Sequence, residues 1–198
     1  EFNWNQGVTV DAGGDIHVSC RDGDRIQVFD SNGTYKRTYG FYSSRNFDPA
    51  DLKITPENSF LISNRDTDSI FEVDENGSLL RRIGSQGSGD GNFSDPCEMV
   101  LTQDGKIVVA DYSNHRIQIL ERNGTFVKRF GSNGTGDGQF KNPWGVALSK
   151  DNELFVTDRM NHRVQVFDLN GTFLRKWGTQ GSLEGQLNQP MGIDVDDS

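Results

Sequence analysis

The chain has 198 residues, 33% of them hydrophobic with glycine left out of that count, 23 glycines and a formal net charge of −9. A chain of this size can bury roughly 70% of its unfolded surface, so one core needs no metal or disulfide staple, and the composition excludes a disordered chain. The charge argues against a global positive field that gathers nucleic acid or anionic lipid, and the longest strictly apolar run, Ile107 to Ala110, is far too short to span a membrane.

The first residues, Glu1-Phe2-Asn3-Trp4, lack an initiator methionine and a signal-peptide layout, so the chain reads as a soluble, excerpted piece. Cys20 and Cys97 fit neither a metal-binding pair nor a disulfide framework, which points to a reducing compartment and a cytoplasmic location.

Along the chain the dipeptide Asn-Gly recurs at 32–33, 76–77, 123–124 and 170–171, each followed by a basic pair and a glycine: YKRTYG, LLRRIG, FVKRFG and FLRKWG. The repeats fall at about 2–40, 41–84, 85–131 and 132–178, with a partial one at 179–198, in one domain over 1–198. Each opens on an alternating strand: Val8/Val10, Leu52/Ile54, Met99/Leu101, Val146/Leu148 and Ile193/Val195, preceded from the second repeat on by a proline. A turn leads to a second strand with a continuous apolar run, as in Ile107-Val108-Val109, which implies burial on both faces. A third strand follows (Ile26-Gln27-Val28, Ile117-Gln118-Ile119, Val164-Gln165-Val166). Asn-Gly then predicts a type I′ hairpin into a fourth strand that carries the basic pair.

Four short strands per roughly 45 residues is the arithmetic of an all-β propeller: four four-stranded antiparallel blades plus the first strand of a fifth. The fourth strand is then outermost, where Lys and Arg discourage edge pairing. The basic pairs therefore read as a solvated rim and not as a nucleic-acid stripe. His17, within a second strand, reads as packed.

The turns between second and third strands carry Asp111-Tyr112-Ser113-Asn114-His115-Arg116 and Asp158-Arg159-Met160-Asn161-His162-Arg163. These residues, with the surrounding stretch from 131 to 178, resemble the NHL-repeat family; the first two repeats diverge at the motif. Short polar residues suit such turns: the aspartates are expected to accept backbone N–H bonds there and the asparagines to tolerate unusual backbone angles. His115 and His162 occupy equivalent places that radiate from the axis, which disfavours a shared metal, and no cofactor is expected in this region. Propellers of the family commonly have five or six blades, so the resemblance implies part of a ring, with exposed blade faces and self-association. Six Asn-X-Ser/Thr sequons (Asn32, Asn76, Asn92, Asn123, Asn133, Asn170) are weak signs of secretion, since turn chemistry already demands Asn-Gly in four of them.

Strand alternation puts the inter-blade loops and the turns between second and third strands on one end, where binding is expected. The candidate partner-binding residues are Arg21, Asp22, Arg65, Asp66, Glu98, Tyr112, Trp144, Arg159 and Met160. An aromatic beside arginines, as in Trp144, Tyr112, Arg65 and Arg159, can stack on an unpaired base or grip a peptide. Trp144 is expected to be packed, and Tyr112 and Arg159 exposed. Asp22, Asp24, Asp51, Asp66 and Glu98 oppose phosphate and favour a protein or peptide.

The resemblance extends to the C-terminal domain of tripartite-motif, RING-type ubiquitin ligases. It implies a non-catalytic, target-selecting region, with ligase activity and zinc belonging to other segments. Single-stranded RNA binding is the alternative. A metal-dependent lyase or hydrolase propeller is the third reading, disfavoured because the inner-strand starts offer Asp51 and Glu98 but no histidine.

Overall fold

The computed structural model describes residues 5–20, 23–40 and 47–196. Among these, sixteen strands form four antiparallel sheets, each a meander in chain order. The first holds β1 (Asn5–Val10), β2 (Ile16–Cys20), β3 (Arg25–Phe29) and β4 (Tyr35–Tyr39). The second holds β5 (Pro49–Ile54), β6 (Phe60–Asn64), β7 (Ser69–Val73) and β8 (Leu79–Ile83). The third holds β9 (Pro96–Leu101), β10 (Ile107–Asp111), β11 (Arg116–Leu120) and β12 (Phe126–Phe130). The fourth holds β13 (Pro143–Leu148), β14 (Glu153–Asp158), β15 (Arg163–Asp168) and β16 (Phe173–Trp177). The inner strands β1, β5, β9 and β13 lie side by side in that order, so the sheets are the blades of a β-propeller.

The core lies between blades. Phe60 and Ile62 of β6 join Ile26, Val28 and Phe47 on one side, while Leu61 between them joins Ile107, Val109 and Phe93 on the other. On β10, Ile107 and Val109 face back to the second blade while Val108 and Ala110 face Trp144, Val146 and Phe167 of the fourth. This is why β6 and β10 carry continuous apolar runs, Phe60–Ile62 and Ile107–Ala110: with period two, each strand serves two interfaces. Each fully buried Leu, Ile or Phe contributes about 1.5–3 kcal/mol, so the blade-to-blade contacts supply most of the stability.

The inner strands share a bulge near their start, seen as a register slip at Asn5/Val8, Pro49/Asp51 and Pro143/Val146. A hydroxyl on the second strand accepts the bulged N–H: Ser19 from Gly7 at 2.7 Å, Ser63 from Asp51 at 2.9 Å and Thr157 from Gly145 at 2.7 Å. In the third blade Ala110 stands at that place. The inter-blade loops are anchored by Phe93 and Phe140, both fully buried. Gly84 and Gly131, at φ +75° and +96°, lie so close to these rings that a Cβ would sit 2.4 and 2.5 Å from them.

Three expectations are corrected. The hairpins are not type I′: Gly33, Gly77, Gly124 and Gly171 have positive φ, whereas the asparagines before them do not. The N–H of Gly33 donates to Asp30 O and that of Asp30 to Thr34 O, a turn closed by a left-handed glycine with a bulge beside it. The side chain of Asp30 takes the N–H groups of Asn32 and Thr34, at 2.9 and 2.8 Å, and Asp74 and Asp168 repeat this. Within the NHL-like motif the left-handed residues are His115 and His162, both at φ +55°, and not the asparagines. Residues 190–195 lie beside β13, where the carbonyl of Met191 accepts a hydrogen bond from Thr157 Oγ1 at 2.7 Å, but form no ladder. Strand pairing there needs a second strand, and the described residues provide none.

The basic rim is ion-paired as expected of solvated edges: Lys36 with Asp15 at 2.5 Å, Arg175 with Glu153 at 2.6 Å, Arg129 with Asp90 at 2.9 Å, and Lys176 with Asp137. Such exposed pairs contribute at most about 1 kcal/mol each.

Candidate functional site at the channel mouth

The motif turns are joints between blades. Asp111, fully buried, accepts from Arg116 Nε at 2.6 Å, from Asn114 Nδ2 at 3.0 Å, from Gln118 Nε2 at 3.0 Å and from the N–H of Ser94 at 2.8 Å. Arg116 spends its other N–H groups on the carbonyls of Ser88, Gly89 and Asn92 in the preceding inter-blade loop. Asp158, Asn161, Arg163 and Gln165 repeat the network on Lys141 and on the carbonyls of Thr135, Gly136 and Gln139. The backbone N–H groups that the aspartates accept thus come from the inter-blade loop, at Ser94 and Lys141, while their own turns supply side-chain donors. With each side-chain donor nitrogen partnered, the network fixes the loops that frame the mouth.

On that frame four of the expected residues converge. The guanidinium carbons of Arg65 and Arg159 lie 5.6 and 5.1 Å from the centroid of Trp144. Tyr112 meets the same indole edge-on, with centroids 5.5 Å apart, and its O–H accepts a hydrogen bond from Arg159 Nη1 at 3.1 Å. Arg65 pairs with Asp95 at 3.2 Å, and Asp95 also accepts from Ser113 Oγ at 2.6 Å. Trp144 is packed, at 6% exposure, as the sequence suggests. Tyr112 and Arg159 are half-buried, a departure from the exposure expected of them, because each is held against the indole. Cation–π contact of this kind contributes roughly 0.5–2 kcal/mol per cation, more as the ring is desolvated. Burial pushes up the thiol of Cys97 beneath Arg65, so it is un-ionised near neutrality.

Asp66 and Met160 are not drawn into the cluster. Asp66 is exposed with its N–H on Asn64, and Met160 is half-buried with its N–H on Lys141 O. Arg21 and Asp22 lie outside the described residues.

Glu98 lies on the axis and not on the rim. It lines a cavity of about 620 Å³ with Asp51, Lys53, Val8, Val100 and Leu148. Burial, reinforced by the nearby Asp51, pushes its carboxyl up to about 8 although the N–H groups of Val146 and Ile193 donate to it. Burial likewise pushes Asp51 above the usual carboxylate range, against Lys53 and the N–H of Met99, which donates at 2.9 Å. Each carboxylate accepts an N–H from the next blade's inner strand, tying neighbours together at the channel. Sequence reading names both residues but misses this bridging; the signal is that acids stand where Gly7, Gly145 and Gly192 stand in other repeats. Among the described residues no group of three His, Cys, Asp or Glu side chains is arranged to hold a metal. No helix among them is long and apolar enough to cross a membrane.

Residues 93–120 and 140–167 match the NHL repeat family; each segment runs from the anchoring phenylalanine of an inter-blade loop through a blade's third strand. No curated protein matches the chain. Among solved structures, the fold is similar to that of virginiamycin B lyase from Staphylococcus aureus (16% identity, TM-score 0.74, covering 98% of this chain and 60% of the lyase). It is also similar to a gluconolactonase from Xanthomonas campestris (17% identity, TM-score 0.77, covering 99% of this chain and 68% of the lactonase). The chain thus spans about six-tenths of the lyase's length. At such identities the likeness is one of fold.

Proposed function

We propose that this NHL-type propeller is a non-catalytic recognition domain whose loop-rich end takes a protein or peptide partner at the Trp144 cluster. The observation that carries this reading is the convergence of Arg65, Tyr112, Trp144 and Arg159 from three blades on a single indole. Trp, Tyr and Arg are the side chains that concentrate binding energy, and here they are pre-ordered on a rigid scaffold. Asp95, paired with Arg65, and a net charge of −9 disfavour a phosphate backbone.

The NHL repeats support a target-selecting role in a RING-type ubiquitin ligase of the tripartite-motif kind, in the cytoplasm; zinc and ligase chemistry then belong to segments beyond these 198 residues. Self-association draws support from the exposed Leu174, Trp177 and Leu183 on and after the fourth blade. Sedimentation of the chain over a range of concentrations tests it.

Selection of displayed peptides alongside a pool of short RNAs at physiological salt tests the main reading. Peptides are expected to be enriched by the parent chain and lost with Arg159→Ala and Arg65→Ala. Sequence-dependent RNA binding lost with the same substitutions would overturn it.

A second reading, catalysis at the axis, is favoured by one observation: Asp51 and Glu98 share a cavity large enough for a small molecule. The structural neighbours include a lyase and a lactonase. Turnover of lactone substrates that disappears with Glu98→Gln would establish it over the first.

A further inference from the structure

The axial cavity is distinct from the mouth, and its lining has a defined chemistry. One end carries Asp51 and Glu98 from adjacent inner strands; the walls are Val8, Val100, Val146 and Leu148. Lys53 pairs with Asp51 at 3.2 Å and is the sole cation among the described lining residues, while Glu98 accepts the backbone N–H groups of Val146 and Ile193.

The space around the two acids is kept by glycine. A Cβ on Gly7 would lie 2.8 Å from Asp51 Oδ1, and Cβ atoms on Gly145 and Gly192 would lie 3.0 and 3.4 Å from the oxygens of Glu98. The five residues are one repeat position, at 7, 51, 98, 145 and 192. Acid in two repeats and glycine in three leaves the carboxyl of Glu98 at the open volume, with the buried Asp51 beside it held by Lys53 and the N–H of Met99. A site with an anionic end and an apolar wall selects a cation on an apolar stem. With no third metal-ligating side chain arranged beside them, a single positive charge suits the pair better than a divalent ion.

We propose that the axial cavity binds a primary alkylammonium, such as a small amine or an inserted lysine side chain, with Glu98 holding the ammonium beside the Asp51–Lys53 pair and Val8, Val100 and Leu148 gripping the stem. The ammonium keeps its three protons; Glu98, where protonated, loses its own to solvent as the ion pair forms. Binding therefore releases a proton below about pH 8, the value to which burial and Asp51 raise Glu98. The other charged groups facing it are Lys53 and Asp194.

The test is titration of the 198-residue chain with n-butylammonium, followed by backbone amide shifts and by calorimetry in buffers of different ionisation enthalpy. Shifts are expected at Met99, Val146 and Ile193, whose N–H groups donate to the two acids, together with proton release. Affinity should fall about tenfold or more with Glu98→Gln. Val8→Trp, at an exposed position of the wall, should weaken binding by filling the cavity, so the idea stays testable if Glu98→Gln fails to fold. Arg159→Ala should leave the shifts unchanged, which separates this site from the mouth. Absence of shifts, equal shifts with n-butanesulfonate, calcium acting in place of the amine, or undiminished binding by folded Glu98→Gln would each overturn the proposal.

Discussion

Asp68 and His115 occupy one place in successive blades and hold the following loop in the same way, since Asp68 Oδ1 accepts the N–H of Asp95 at 2.6 Å and His115 Nδ1 accepts that of Asn142 at 3.0 Å. His162 does the same for Gln189 at 3.1 Å. All three acceptors sit at positive φ, 48° to 55°, and so do the residues they hold, 49° to 57°. The histidine of the motif is therefore a turn acceptor that fixes the residue before the inner-strand proline.

His115→Asp should accordingly be tolerated, since Asp68 already shows a carboxylate in that role. His115→Leu strands the N–H of Asn142 and should cost about 1–3 kcal/mol in urea unfolding. Equal stability of the two variants would remove the acceptor role.

The buried pair of Asp158 and Arg163, 2.7 Å apart, makes a harsher prediction. Asp158→Ala leaves a guanidinium uncompensated inside the blade joint and should destabilise by roughly 3–5 kcal/mol. The double variant Asp158→Ala with Arg163→Met should recover part of that loss, read from the same denaturation curves. A double variant as unstable as the sum of the singles would show that the two residues act separately.

Glu98 ties stability to alkaline pH. Its carboxyl is raised from 4.5 to about 8 in the folded chain, so the stability that goes with the protonated form is complete below 4.5 and is lost as pH rises through 8. Each pH unit in that window removes on the order of 1.4 kcal/mol at most. Glu98→Gln should flatten the profile and exceed the parent in melting temperature above pH 8; a parallel profile would contradict this.

His17 acts at the other end of the scale. It is fully buried, stacked on Phe60 at 4.3 Å, with Tyr39 and Asp11 on its two nitrogens. Burial depresses its imidazolium below the usual 6.5 against the pull of Asp11 and Asp15, with Arg37 adding to the depression. The unfolded chain therefore takes up its proton first, and stability should fall as pH drops below 6.5. His17→Gln should lessen that slope in thermal melts between pH 7 and 5.

Some of this is written in the local sequence. The Asn-Gly and basic-pair repeat sets four meanders, and the two-sided apolar runs of β6 and β10 require a neighbour on each face. The network of Asp111, Asn114, Arg116 and Gln118 is visible as a pattern repeated 47 residues later, but its targets are not. They are carbonyls 24 to 28 residues earlier, and only the path of the inter-blade loop brings them in reach.

The sequence by itself determined the four-stranded blade, blade order and the burial of alternate residues, because period and turn chemistry act over a few neighbouring residues; whether residues 190–195 pair as a strand was not among them. Only the tertiary structure decided that Arg65, Tyr112 and Arg159, spread over 95 positions, meet on Trp144, and that Asp51 and Glu98 share the axis. The reason is geometric: blades of nearly equal length place equivalent residues around one centre, and the rotation between successive blades, set by their packed faces, appears in no local stretch of the chain.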